Sequence, residues 1–198
     1  MSTHLLFRDQ SLENFEKVVS YIDEPADLLS LALVSKSIYN VLVPAHLEFF
    51  AIRCDPYRKD VWDALAEKPT LTRRIRRLEL VSEMGPGAPP TIITPRTLGF
   101  DPNDFEEALE WDYEPWVEAQ TSLLKAIKLM PHLTRFVWRI AEPRGGTRLD
   151  PIFDVIKYSC PEFKELEIDY PSHMVTARFS KASFGNSVRN IDTLIDSS

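Results

Sequence analysis

Cysteine, glycine and long apolar runs are all scarce in this chain of 198 residues, and each scarcity excludes something. Cys54 and Cys160 are the only cysteines, far apart and outside any CxxC pair. That excludes a disulfide scaffold and a cysteine-rich zinc module, and it suits a reducing compartment. The longest fully apolar stretches are a few residues, far short of the ~20 that span a bilayer. The amino-terminal MSTHLLFRDQSLENFEK is charged by residue 8 and has no apolar signal core, and the terminal LIDSS carries no lipidation or retention signal. The expected location is cytoplasmic and/or nuclear, with no membrane partner. Six glycines form no GxGxxG or GKT/GKS loop, and there is no GxSxG. The four histidines, His4, His46, His132 and His173, share no metal-ligand spacing. No metal, cofactor or catalytic residue is therefore expected, and the chain reads as a non-enzyme. Basic charge is outnumbered, 23 against 30 acidic residues, for a net charge of −7. Such a chain repels phosphate backbones, so nucleic acid is not an expected partner.

What the chain does have is ordinary globular composition, 44 % apolar and 27 % charged. A chain of this length buries roughly two-thirds to three-quarters of its unfolded surface and needs no staples.

Residues 11–53 read as helices. Leu12, Phe15, Val18, Val19 and Ile22 make a one-sided apolar stripe. Asp23-Glu24-Pro25 writes a turn, with Pro25 placed at the first position of the next helix. Leu28, Leu29, Leu31, Ala32 and Val34 leave that second helix apolar almost all round. Ser35 is the expected N-cap of a third helix carrying Ile38, Val41, Leu42 and Ala45. Pro44 should kink or restart it, with HLEFFAIR forming another short apolar helical face. Val61, Trp62 and Leu65 predict one more helix before Pro69.

The character then changes. Ile75 to Leu80 suits a short strand. Residues 85–102 hold five of the fifteen prolines and three of the six glycines, which excludes regular structure there. Residues 101–118 carry eight acidic side chains and no basic one, interleaved with Trp111, Tyr113 and Trp116. An amphipathic helix follows over 115–130, with Trp116, Ala119, Leu123, Ala126, Ile127 and Met130 on one face.

The second half repeats itself. Pro131, Leu133, Phe136 and Trp138 match Pro161, Phe163, Leu166 and Ile168 at an offset of 30 residues, each copy following a helix-like stretch. Ile75, Leu78 and Leu80 show the same spacing 58 residues before Leu133, and Ile191 and Leu194 offer a weaker copy. A strand and a helix in each unit predict a leucine-rich-repeat-like solenoid with parallel strands.

From Asp27 to Leu42, DLLSLALVSKSIYNVL resembles the F-box family. Ser20-Tyr21-Ile22 stands for the end of that family's first helix; Asp27-Leu28, Leu31, Val34-Ser35-Lys36 and Tyr39 stand for the segments after it. Gln10-Ser11-Leu12-Glu13 replaces the family's usual Leu-Pro opening. The resemblance spans about residues 11–53 and, joined to the repeat pattern with its 58-residue gap, predicts an α/β chain with an F-box-like helical bundle at 1–68, then a short irregular repeat domain at 69–198 with an insertion at 82–114. It also implies, as in fungal-type members, an adaptor that docks on a Skp-type linker of a cullin–RING ubiquitin ligase and presents a protein substrate. Tyr21, Ile22, Leu28, Leu31, Val34, Ser35, Lys36 and Tyr39 would meet the linker. Elementary energetics points the same way, because three short helices cannot bury so many large apolar groups alone. The alternative is a stand-alone scaffold whose helices cap the repeats.

Two further clusters invite a role. Trp111, Asp112, Tyr113 and Trp116 are expected at a partner-facing rim that prefers a basic substrate segment. Arg73, Arg74, Arg76 and Arg77 are expected to pair with acids of the chain, residues 101–118 foremost, rather than with phosphate.

Overall fold

The computed structural model describes residues 12–19, 21–22, 24–81, 94–95, 98–99, 113–140, 150–170 and 173–178. The chain divides into two compact units, residues 1–47 and 48–198.

The first unit is helical. Helix α1 (Leu12–Val19) is followed by α2 (Pro25–Ala32) and α3 (Lys36–Leu42). Pro25 occupies the first turn of α2, where its missing N–H costs nothing. Ser35 caps α3 as expected, its hydroxyl accepting from the Ile38 N–H at 3.2 Å. Past Leu42 the helix widens into a π-type turn over Val43–Leu47, which accommodates Pro44 where a regular turn would meet its ring. Val19, Leu28, Ala32, Ile38 and Leu42 are buried.

The second unit is an α/β layer. Strands β1 (Ala51–Cys54), β2 (Arg77–Val81), β3 (Arg135–Arg139) and β4 (Glu165–Tyr170) pair in parallel, and β5 (His173–Arg178) closes antiparallel on β4. Between strands lie α4 (Lys59–Glu67), α5 (Pro69–Thr72), α6 (Tyr113–Lys128) and α7 (Asp150–Ser159). Helix α4 packs on α6, and α6 on α7. The register aligns Ile52, Leu78, Phe136 and Leu166 in one row, and Cys54, Leu80, Trp138 and Ile168 in the next. Both rows join one core with Val61, Trp62 and Leu65 of α4, Leu123 and Ile127 of α6, and Ile152 and Ile156 of α7. Trp62 satisfies its buried indole N–H on the Pro56 carbonyl at 3.0 Å.

The 30-residue offset is the true register: Arg135 pairs with Glu165 and Phe136 with Leu166. The same entry into the strand is built three times. The Phe50 carbonyl accepts from the N–H groups of Arg76 and Arg77, that of Arg76 from Thr134 and Arg135, and that of Thr134 from Lys164 and Glu165. One turn earlier, Ile75, Leu133 and Phe163 each donate to the residue three before them, Thr72, Met130 and Cys160. All six of those residues are buried.

Two expectations need correction. HLEFFAIR does not form a helical face; Ala51–Cys54 is a strand, because Ile52 and Cys54 alternate into the core beside Leu78 and Leu80. Residues 48–68 accordingly belong to the sheet unit, and the division falls at 47/48 rather than 68/69. Most of 82–114, and all of 179–198 with Ile191 and Leu194, lie outside the described residues.

Candidate functional site

Two surfaces carry unusual side chains. The first is on the helical unit. Of the eight exposed large apolar side chains among the described residues, six belong to it: Val18, Tyr21, Leu29, Leu33, Val34 and Tyr39. Their exposure follows from helix geometry. Leu28 and Ala32, four residues apart, turn inward, so Leu29 and Leu33, also four apart, turn outward. Leu33 and Val34 form the turn between α2 and α3, and Tyr39 follows on α3.

The residues expected at a linker surface divide accordingly. Tyr21 (77 % exposed), Val34 and Tyr39 stand in solvent, as do Ser35 and Lys36, while Ile22 and Leu31 are half-buried. Leu28 is corrected: at 2 % exposure it is core. Leu33, at 72 %, is a surface residue that the family pattern did not single out. The signal for it was present, since a leucine four after Leu29 must share its face.

The second surface is the sheet face turned away from the helices, where the alternate strand residues carry charge. Arg53 donates to Glu79 at 2.9 Å, and Arg139 donates to Glu79 and to Glu167, each at 2.8 Å. Arg135 donates to Glu167 at 2.6 Å. The four strands are thereby laced side to side, Val137 lying buried among the charges. A cavity of about 310 Å³ opens here. Arg77 belongs to the same face, its guanidinium 5.4 Å from the Phe50 ring centroid.

The hydrogen bond from Arg139, and then that from Arg135, hold the Glu167 carboxyl below its ordinary range. A carboxyl lowered in the folded state contributes stability above its unfolded pKa and loses it as pH falls through the folded one. The sheet unit is therefore expected to weaken as pH drops below about 4.5. In Glu167→Gln that pH dependence should be shallower, read from urea midpoints at neutral and acid pH. An equal slope in both proteins would remove Glu167 from the acid response.

The remaining candidates resolve individually. Trp111 and Asp112 lie outside the described residues, as does the side chain of Tyr113 at the start of α6. Trp116, expected at a rim, is buried, its ring 5.1 Å from that of Tyr57; it anchors α6 and offers a partner nothing. Of the arginine cluster, Arg76 is buried and pairs with Glu162 at 3.4 Å. Burial pushes the Cys160 thiol up to about 12, so it is protonated at neutral pH and no nucleophile. Among the described residues no group of His, Cys, Asp or Glu could hold a metal ion, and no helix is long and apolar enough to cross a membrane. Comparison of the chain with protein-family models, curated proteins and solved structures finds no match.

Proposed function

We propose that this protein is a non-catalytic adaptor of the F-box type. Its helical unit docks on a Skp-type linker of a cullin–RING ligase, and its sheet unit, a short solenoid of leucine-rich-repeat kind, presents a protein substrate. The observation that carries the reading is the concentration of exposed apolar side chains on residues 18–39. Isolated exposed leucines need no explanation, whereas several neighbours on one short helical unit do. Each contributes roughly 1.5–3 kcal/mol when a partner covers it fully, enough together to offset the several kcal/mol that association costs. An amphipathic helix laid across Leu29, Leu33 and Tyr39 is the kind of partner that covers such a surface. The solenoid reading draws on the thrice-repeated strand entry, in which each unit's carbonyl receives the next unit's two N–H groups.

The test is direct. The full chain titrated with purified Skp-type linker is expected to form a one-to-one complex with a Kd of roughly 10 μM or tighter, about −7 kcal/mol. No complex at high micromolar concentrations would leave the second reading, a stand-alone scaffold. Gln10-Ser11-Leu12-Glu13 at the place of the family's Leu-Pro opening is what favours that alternative.

A further inference from the structure

We propose that Lys36 is the specificity-determining residue of the helical unit's exposed surface, and that the partner helix laid across that surface carries an Asp or Glu side chain to meet it. The proposal rests on the adaptor reading and adds the chemistry that the linker's docking helix must present.

Helix phase places Lys36 in the patch. Ile38 and Leu42, four residues apart on α3, are buried, so Lys36, Tyr39 and Asn40 share the outward side. Leu33 and Val34, in the turn that leads into α3, are 72 % and 67 % exposed. Lys36 is thus a cation with solvent-exposed apolar side chains before and after it along the chain.

The helix itself gains nothing from that charge. Acids suit the first turn of a helix and bases the last. Lys17 in the last turn of α1 and Asp27 in the first turn of α2 obey the rule. Lys36 opens α3 with the opposite sign, and α3 has no acid in its first turn to offset it. Among the described residues no carboxylate pairs with it.

A partner changes the balance. Apolar groups laid over Leu33, Val34 and Tyr39 take the neighbouring ammonium out of water, and a desolvated charge without a counterion opposes binding. A carboxylate on the incoming helix replaces the lost hydration with a charge-assisted hydrogen bond. The same lysine then disfavours apolar helices that lack an acid, so attraction and exclusion come from one side chain. An uncharged patch would accept any amphipathic helix of the right width.

The experiment titrates the full chain and its Lys36 variants with purified Skp-type linker, at low and at high salt. Lys36→Gln should bind about ten-fold more weakly at low salt, the loss of one charge-assisted contact, and the gap to the wild type should narrow as salt rises. Lys36→Arg should keep the affinity within about three-fold. Lys36→Glu should bind weakest of all, by more than about 50-fold, while the melting midpoint of its helical circular dichroism stays level or rises, because a first-turn acid suits α3. Damaged folding would not give that pair of results. Wild-type or tighter binding by Lys36→Gln at both salt concentrations overturns the proposal: the ammonium would then remain in water above the partner, and the adaptor reading would stand on its apolar contacts alone. Absence of any complex with the wild-type chain overturns the adaptor reading and this proposal together.

Discussion

Replacing Phe136 by Ala will destabilise the sheet unit by about 3–5 kcal/mol, a large part of the 5–15 kcal/mol that holds an ordinary domain together. Phe136 is fully buried and stands in register between Leu78 of β2 and Leu166 of β4. Removing its ring opens a cavity at the centre of the sheet, where neither neighbouring strand can move inward without breaking its ladder. The readout is selective. All four tryptophans, Trp62, Trp111, Trp116 and Trp138, lie in the second unit, so urea unfolding followed by tryptophan fluorescence reports on that unit alone. Tyr158→Ala is the matching control: its side chain is exposed, and a change within about 0.5 kcal/mol is expected. A small loss in Phe136→Ala would mean that the helices and sheet do not share one core.

Leu33→Asp combined with Val34→Asp is expected to weaken linker binding by more than about 100-fold while changing stability by about 0.5 kcal/mol or less. Both side chains project from the α2–α3 turn, so a charge placed there stays solvated in the free protein and is desolvated only under a partner. Leu28→Ala has the opposite signature. Leu28 is buried, and its truncation should cost about 2–5 kcal/mol of the helical unit, visible as lost helical circular dichroism at lower temperature. Calorimetric titration of both variants checks the division. Full linker affinity in the double Asp variant would place the interface elsewhere.

Strands β3 and β4 are readable because Pro131 and Pro161 mark the same start and Phe136, Trp138, Leu166 and Ile168 keep the same spacing. The amphipathic pattern likewise reveals α4 and α6, and the hydroxyl of Ser35 before Lys36 reveals a cap. Strand β1 is hidden for a physical reason. Its short stretch, Phe49 to Cys54, is apolar apart from Arg53 and fits a helical face as well as a strand face, and pairing with β2 decides. Strand β5 comes only two residues after Pro171, and His173, Thr176 and Arg178 fill the places where the other copies have apolar residues, so the repeat spacing does not announce it. The charge network on the sheet is invisible in sequence because its partners are 26 to 60 residues apart and meet only through register. On the helical unit, apolar excess is legible but its direction is not: Leu28 and Leu33 look alike until the helix phase is known.

The spatial order of the strands, β1 to β5, is also their order along the chain. For a nascent polypeptide this has a temporal meaning. From β2 onward each strand emerges to find its neighbour already made, so the sheet can grow at one edge as translation proceeds. The intervals are unequal, because Arg135 follows its partner Arg77 by 58 residues whereas Glu165 follows Arg135 by 30. At ordinary synthesis rates the longer interval lasts about 3–12 s. Through that time the ribosome-bound chain holds β2 with an open hydrogen-bonding edge, the feature that invites pairing with a foreign strand. Chaperone demand during synthesis should therefore peak between β2 and β3, and fall once Phe136 has closed over Leu78.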